Sequence, residues 1–189
     1  MTPMSSSDFE RTYRARSDPW GYRTSAYEQA KYHATLDACG PGPFDHALEL
    51  GGSIGVFSAL LAPRCRSLTT IDFSPTAVAQ ARAELALHPH ADAVLGRIPE
   101  SIPSGPFDLV LASEILYYLD REALDATLDK LGACLTPGGR IVCVHWRTPG
   151  PERPTSPHDG HRAVHMQPWL DLVQSLPTDD YLLDVSERR

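Results

Sequence analysis

The sequence predicts an α/β protein, a doubly wound and mostly parallel sheet with helices on both faces. Three observations predict this fold. Short apolar or β-branched runs alternate with segments of helical spacing, a glycine-rich turn follows the first of these runs, and some runs are apolar throughout, as strands buried on both faces are. A length of 189 residues suits one core, so we expect a single domain over residues 1–189.

The first forty residues are expected to form a tail and a helix that cover the ligand site. Residues 1–18 are polar and lack periodicity, which predicts a frayed tail. The segment DPWGY at 18–22 carries two aromatic rings that need an apolar surface to pack on. A helix is predicted from Thr24 to the stop signal at Gly40. Its residues on one face are Tyr27, Lys31, Ala34 and Ala38.

Five strands and three helices are predicted in the middle of the chain. The strands are DHALEL (45–50), SLTTID (67–72), ADAVLG (91–96), FDLVLAS (107–113) and RIVCVHW (140–146). The helices between them are VFSALLAPRC (56–65), SPTAVAQARAELALH (74–88) and REALDATLDKLGACL (121–135). Ser74 followed by Pro75 is a strong helix-start signal.

The remainder of the chain is predicted to contain a loop, a helix and a last strand. Residues 147–162 are rich in proline and glycine, which indicates a loop without regular structure. Residues 163–176 are interpreted as a helix started or kinked by Pro168, and residues 180–188 alternate as a strand that closes the sheet.

Composition excludes several classes of function. The formal charge of −7 argues against a nucleic-acid partner. The four cysteines form no CxxC pair, which argues against a zinc site or a disulfide scaffold and suits a reducing compartment. Without a signal-like or membrane-spanning apolar segment, we expect a soluble cytoplasmic protein, a monomer or homodimer, that acts on a small molecule and not at a membrane.

The glycine turn ELGGSIG (49–55) has three interpretations. It could be an ordinary strand-to-helix turn. A dinucleotide-binding G-x-G-x-x-G motif is weak, because Ser53 and Val56 occupy two of its glycine positions. The third is the [DE]-x-G-x-G-x-G turn of S-adenosylmethionine (SAM) methyltransferases, which the turn resembles through Glu49, Gly51 and Gly55. The helix start would then suit the ligand's carboxylate, and Glu49 its ammonium.

Further cofactor contacts are expected where the next strands end, because ligands of such sheets bind at the carboxyl ends of the strands. Asp72 suits both ribose hydroxyls, and Phe73 would lie against adenine. The resemblance to SAM methyltransferases implies an acid at position 97 that accepts a hydrogen bond from the adenine amino group, and Arg97 cannot accept this bond. The predicted cofactor-binding residues are Trp20, Glu49, Gly51, Gly52, Ser53, Gly55, Asp72, Phe73, Arg97, Ile98 and Ser113.

Candidates for catalysis and substrate binding follow the fourth and fifth strands. Glu114 and His145 are the predicted proton acceptors, although a lone histidine is often structural. The predicted substrate-binding residues are Tyr117, Tyr118, Trp146 and Arg147. The pattern H-x-x-H-x-x-x-H could hold a metal through His158, His161 and His165, but no carboxylate pattern completes the site, so none is predicted.

The chain resembles class I SAM-dependent methyltransferases, and among them the NodS family, nodulation N-methyltransferases that modify the amino sugar of a chitooligosaccharide signal. The segments that carry the resemblance are DPWGYRTSAYEQAKY, ALELGGSIGVFSALLAPRC, TTIDFSPTAVAQAR, GPFDLVLASEILYYL, LTPGGRIVCVHWR and DYLLDVSER. Ser53 is common to NodS-like turns, whereas Arg97 departs from the usual acid. The short spacing before residue 180 leaves no room for the penultimate strand, so six strands are expected instead of seven.

The resemblance implies SAM as methyl donor, S-adenosylhomocysteine (SAH) as product, and a small-molecule amine as acceptor, such as an amino sugar or a secondary metabolite. Transfer to a hydroxyl is an alternative, and so is a noncatalytic SAM-binding partner protein. A nicotinamide oxidoreductase is the weakest alternative, because the glycine pattern fails.

Overall fold

The structure, a computed structural model, describes residues 5–148, 150 and 153–189. Seven strands form one sheet in the order β3-β2-β1-β4-β5-β7-β6. Their bounds are β1 Ala47–Leu50, β2 Leu68–Asp72, β3 Ala91–Leu95, β4 Phe107–Ser113, β5 Leu135–Trp146, β6 Leu170–Ser175 and β7 Tyr181–Arg188. The first five pair in parallel, whereas β7 is antiparallel to both β5 and β6. The predicted doubly wound, mostly parallel sheet is confirmed.

Six α-helices in the described part of the chain pack around this sheet. Their bounds are α1 Ser6–Ala15, α2 Ala26–Cys39, α3 Val56–Leu61, α4 Pro75–Glu84, α5 Arg121–Cys134 and α6 Pro157–His165. Both α4 and α6 begin with proline after a serine cap, since Ser74 and Ser156 each accept a hydrogen bond from the backbone amide three residues on. In the part of the chain that is described, no helix has the length and apolar content needed to cross a membrane.

The core lies on both faces of the central strands. In β4, Leu109 and Leu111 pack in one apolar cluster, and Val110 and Ala112 pack in the other. Alternate residues of a strand point to opposite faces, so a strand covered on both sides reads as a continuous apolar run. The central strand β4 is therefore covered on both faces.

The prediction of six strands is wrong, because β6 lies within the segment interpreted as a helix. Residues 166–169 form a turn, and β6 then pairs with β7 from Leu170↔Arg188 to Ser175↔Asp184. Only Leu170 of this edge strand is buried, and the register shifts between Leu172 and Gln174. An exposed edge strand with such a shift lacks the regular alternation that identifies strands in a sequence.

Two further predictions of irregular structure are wrong. The expected N-terminal tail contains α1, which begins with a capping box formed by Ser5 and Asp8. The proline-rich loop ends at Pro157, where α6 begins. In both segments, a serine cap three residues before an aspartate is the overlooked start signal; residues 1–4, 149 and 151–152 of these segments lie outside the described part of the chain.

Candidate functional site

A cavity of about 410 Å³ lies at the carboxyl ends of β1, β2 and β4 and is covered by α1 and α2. Its volume falls in the range of small-molecule pockets, about 300 to 1,000 Å³. The predicted site residues that line it are Trp20, Glu49, Gly51, Gly52, Ser53, Asp72, Phe73, Ser113, Glu114, Tyr117, Tyr118 and Trp146.

The glycine turn forms one wall of the cavity through its unusual backbone. Gly51 and Ser53 have positive φ angles of 74° and 51°. Ser53 thus adopts a conformation that favours glycine, and its small side chain still permits a close approach to the turn. At Gly52, a Cβ atom would lie 1.7 Å from Thr70 Oγ1, so this position has no room for a side chain.

Gly55 acts in helix packing and does not line the cavity. Its φ is 83°, and an added Cβ would lie 2.7 Å from the Cα of Ala81 in α4. The third glycine of the motif therefore allows α3 and α4 to approach each other.

Asp72 joins the glycine turn to the end of β2. Its carboxylate accepts hydrogen bonds from the backbone amides of Ser53 at 3.0 Å and Ser74 at 2.9 Å. Burial raises the pKa of Asp72 to about 6, against the lowering effect of these backbone donors. A carboxylate at the end of β2 is thus fixed against the turn beside the cavity.

Glu49 is buried beneath the same turn. Its carboxylate accepts a hydrogen bond from the Ser58 hydroxyl, and burial raises its pKa. Glu49 lines the cavity from the sheet side.

The helix α1 lines the cavity through Phe9 and Tyr13. The hydroxyls of Tyr13 and Ser53 share a hydrogen bond of 2.6 Å. The ring of Phe9 makes edge contacts with Phe73 and Tyr118 at centroid distances of 5.6 and 5.0 Å. The segment predicted to be a tail therefore supplies aromatic walls to the site.

A carboxylate of α1 binds the start of α4. Glu10 accepts hydrogen bonds from the hydroxyls of Ser74 at 2.6 Å and Thr76 at 2.7 Å. These hydroxyls lower the pKa of Glu10 to about 2. An anion also suits the positive end of a helix dipole, so this contact fastens α1 over the cavity.

A buried lysine that lines the cavity forms ion pairs with two carboxylates of the lining. The Lys31 ammonium donates hydrogen bonds to Glu114 Oε1 at 2.7 Å and to Glu28 Oε1 at 3.2 Å. Its side chain is only 2% exposed. Burial alone would lower the pKa of Lys31, but the two carboxylates outweigh it and raise the pKa.

Glu114 is held by donors from three elements. Besides Lys31, it accepts hydrogen bonds from the Tyr117 hydroxyl and from the backbone amide of Trp146, the latter at 3.1 Å. Glu114 has a positive φ of 54°, a left-handed backbone conformation, directly after β4 ends at Ser113. Glu114 lines the cavity, and all of these partners are donors.

Glu28 and Lys31 are absent from the predicted site residues. The signal was a lysine on a helix face that also carries Tyr27, Ala34 and Ala38, because a lysine is rarely buried unless it is paired. Glu28, one turn earlier, is the nearest acid on that face.

His145 faces away from the cavity, contrary to its predicted role as a proton acceptor there. Its Nε2 accepts hydrogen bonds from the backbone amides of Ile115 and Leu116 at 3.3 and 3.0 Å. Its Nδ1 lies 2.9 Å from Nε2 of His161. Burial holds the pKa of His145 well below its usual value, so the ring is neutral and already bonded at both nitrogens.

The chain of histidines continues to a buried acid. His161 Nδ1 lies 2.6 Å from Asp184 Oδ2, and the Ser175 hydroxyl donates to Asp184 Oδ1 at 2.5 Å. Since Nε2 of His145 accepts, its Nδ1 carries the proton and donates to His161, whose own proton must then lie on Nδ1. Burial alone would raise the pKa of Asp184, but its hydrogen-bonded neighbours lower it well below the usual range.

The position of the His161 proton decides whether Nδ1 of this residue could bind a metal ion. Possible ligand atoms of His161, His165 and Asp184 lie within 4.8 Å of one another, whereas His158 is exposed and lies outside this cluster. The proton on His161 Nδ1 points at Asp184, so that nitrogen has no lone pair for an ion while the hydrogen-bond chain is intact. That no metal binds stays a prediction.

Three other predicted site residues lie outside the cavity. Arg97 donates to the Ser6 hydroxyl at 2.6 Å, and its guanidinium carbon lies over the Phe73 ring, 5.6 Å from the ring centroid. Ile98 packs against the apolar core. Arg147 donates to the carbonyl of Thr178 at 2.6 Å, which ties the end of β5 to the turn before β7.

Comparison with known proteins identifies relatives of the chain. The family model described as Nodulation protein S (NodS) matches residues 2–148. Nodulation protein S of Sinorhizobium fredii is 34% identical over 130 residues, which cover 68% of this chain and 60% of the relative. An uncharacterized methyltransferase of Mycobacterium tuberculosis is 30% identical over 122 residues, 62% of this chain and 59% of the relative. The chain thus spans about 60% of the length of these curated relatives.

Solved structures share the fold. A putative methyltransferase from Pseudomonas syringae is 35% identical with a TM-score of 0.76, over 87% of this chain and 100% of that one. The N-methyltransferase NodS from Bradyrhizobium japonicum, in complex with SAH, is 24% identical with a TM-score of 0.86, over 96% of this chain and 97% of that one. The sheet is that of the Rossmann-like methyltransferases.

Proposed function

Because the chain belongs to the NodS family, we propose that it transfers a methyl group from SAM to an amine of a small molecule. One observation carries the proposal: the glycine turn and Asp72 meet at the floor of the cavity, at the carboxyl ends of β1 and β2. Ligands of doubly wound sheets bind at this edge. The N-methyltransferase of similar fold that binds SAH supports the same assignment.

The proposed cofactor site uses the residues that the structure brings to this floor. Asp72 would accept hydrogen bonds from the ribose hydroxyls, and Phe73 would lie against adenine. Glu49 would attract the ammonium of the amino-acid end, and the turn from Gly51 to Ser53 would lie against the cofactor. The helix α1 and Trp20 would cover the bound molecule.

The proposed acceptor site lies on the side of Glu114, Tyr117, Tyr118 and Trp146. The methyl group of a sulfonium is already activated, so catalysis requires mainly that the attacking nitrogen be held in line with the C–S bond. Such positioning can supply on the order of 7 to 11 kcal/mol. Glu114 would contribute negative charge near the sulfonium and the amine, and the tyrosine and tryptophan rings would favour both cations.

Calorimetric titration with SAH tests the cofactor assignment. We expect binding by the wild-type protein, a clear loss of affinity in Asp72→Asn, and unchanged affinity in the exposed control Asp92→Asn. The proposal fails if the wild type binds no SAH at millimolar concentration.

A mass-spectrometric assay tests the reaction. With SAM and a panel of amines, including glucosamine and partly deacetylated chitooligosaccharides, we expect a mass gain of one methyl group, and none with the N-acetylated counterparts. Methylation of hydroxyl compounds instead would support the O-methyltransferase alternative. Binding of SAH without transfer to any compound would support a noncatalytic partner protein.

A further inference from the structure

Two polar atoms on the cavity side of α2 lack hydrogen-bond partners. Among the residues that the structure describes, neither the Tyr27 hydroxyl nor Glu28 Oε2 makes a hydrogen bond, although both atoms are buried. Both residues line the cavity. Buried polar atoms are normally paired, and each exception asks for an explanation. A ligand that donates hydrogen bonds is the simplest partner for a carboxylate oxygen facing a cavity.

The two acids beside Lys31 differ in what they can offer a ligand. Glu114 accepts hydrogen bonds from Lys31, Tyr117 and the backbone of Trp146. Glu28 accepts one from Lys31 through Oε1, and its Oε2 has the same ammonium 3.1 Å away without a well-aligned bond. Glu28 therefore has the freer carboxylate oxygen of the pair.

The surroundings of Glu28 also suit proton transfer. Its side chain is only 12% exposed, and burial raises its pKa despite the neighbouring Lys31 ammonium. The other charged groups that influence it are Glu114, after β4, and Asp18, between α1 and α2. A carboxylate with a raised pKa is a better general base at neutral pH than an exposed one.

Resting on the proposed function, we propose that Glu28 binds the acceptor as an ammonium ion and takes its proton, while the Tyr27 hydroxyl bonds the acceptor beside it. The nitrogen loses one proton to Glu28 Oε2, and its lone pair then attacks the methyl carbon of the sulfonium. The C–S bond breaks with its electron pair going to sulfur, which leaves neutral SAH. The product is an N-methylated ammonium ion, and Glu28 returns its proton to solvent.

This assignment makes the acceptor an amine that carries a proton before transfer, and it gives Glu114 a different task. Glu114 forms an ion pair with Lys31 at 2.7 Å and thereby fixes the position of the ammonium beside Glu28, so Glu114 is a positioning residue for Lys31. The acceptor nitrogen then lies between Glu28 and the cofactor's methyl group.

Binding of glucosamine to the SAH-saturated protein provides the first test. We expect the wild type to bind glucosamine at least tenfold more tightly than N-acetylglucosamine, and Glu28→Gln to lose this preference. The control Glu122→Gln changes an exposed glutamate in the first turn of α5 and should keep it. Equal binding of the two sugars by the wild type, or an unchanged preference in Glu28→Gln, overturns the assignment.

Methyl transfer to glucosamine provides the second test. We expect Glu28→Gln to lower kcat by about 100-fold or more, and Tyr27→Phe to raise KM by about two- to tenfold. Both variants should bind SAH within twofold of the wild type, which also shows that they fold. Glu28→Gln with wild-type kcat overturns the base role. Weakened SAH binding in Glu28→Gln would assign Glu28 to the cofactor's own ammonium and would also overturn it.

The two proposals fail in different ways. A wild-type protein that binds no SAH refutes the cofactor assignment itself. A protein that binds SAH and prefers glucosamine through Glu28, but transfers no methyl group to it, retains the ammonium site and refutes Glu28 as a base.

Discussion

Replacing Lys31 by methionine should destabilise the protein in a way that depends on pH. The ammonium lies 2.7 Å from Glu114 and 3.2 Å from Glu28, and only 2% of the side chain is exposed. Removing one partner of a buried ion pair typically costs about 3 to 5 kcal/mol, because the remaining charge loses its compensation. Taking the lower figure, the melting temperature of a chain of this size falls by roughly 6 to 12 °C.

The pH dependence of this loss has a definite sign. Without Lys31, the folded-state pKa of Glu28 rises further above its unfolded value, since burial and repulsion by the charge of Glu114 both favour the protonated acid. Such a group favours the folded state below its unfolded pKa and loses that effect as the pH rises through the folded pKa. The deficit of Lys31→Met relative to the wild type should therefore be largest near pH 8 and shrink towards pH 5.

Urea unfolding at several pH values measures this deficit. Lys130→Met is the matched control, because this lysine is exposed on α5 and, among the residues that the structure describes, donates only to the carbonyl of Glu100. It should change the free energy of unfolding by no more than about 0.5 kcal/mol. The double variant Lys31→Met with Glu28→Gln should recover part of the loss. A Lys31→Met variant as stable as the wild type at pH 8, or a deficit that grows towards pH 5, would refute the reasoning.

Three further predictions concern the support of the site. In urea unfolding, Gly55→Ala should lower the free energy of unfolding by at least about 2 kcal/mol, because strain at positive φ adds to a clash with Ala81 of α4. Gly138 also has a positive φ but open space around it, so the control Gly138→Ala should show the backbone strain without the clash. Glu10→Gln should weaken the docking of α1 by about 1 to 2 kcal/mol, seen as faster proteolysis within α1 at pH 7. Since the pKa of Glu10 is lowered to about 2, this stabilisation should persist above pH 4.5 in the wild type and disappear as the pH falls towards 2; equal cleavage of both proteins at pH 7 contradicts it. His145→Phe should cost about 2 kcal/mol in urea unfolding, because the buried amide of Leu116 and the partly buried amide of Ile115 lose their acceptor. SAH affinity should stay within about threefold, and a large loss of affinity at unchanged stability would restore His145 to the site.

The parallel half of the fold could be predicted because its signals are local. Continuous apolar runs identify the central strands, and Ser74 with Pro75 identifies the start of α4. The edge strand β6 could not be predicted, because five of its six residues are exposed and its register shifts. Its existence depends on pairing with β7, which local periodicity does not report.

The cofactor half of the candidate site was more predictable than the acceptor half. Gly51, Ser53 and Asp72 follow strands whose ends must meet, so topology alone brings them together. Glu28 reaches the cavity from a helix that precedes the sheet, and no rule of sheet topology places it. For His145, the position at the end of β5 was correct, but a strand end does not fix which face the ring occupies.

The hydrogen-bond chain from His145 to Asp184 has a practical consequence for dissecting this protein. The residues matched by the family model end at 148. The Nδ1 atom of His145 is hydrogen-bonded to His161, which is hydrogen-bonded in turn to Asp184, and both of these residues lie beyond that point. A fragment trimmed to the matched residues would also lose β7, the strand that pairs with β5. Domain boundaries drawn from sequence similarity would thus remove residues that support the end of β5 beside the candidate site, and fragments for expression should extend at least through β7.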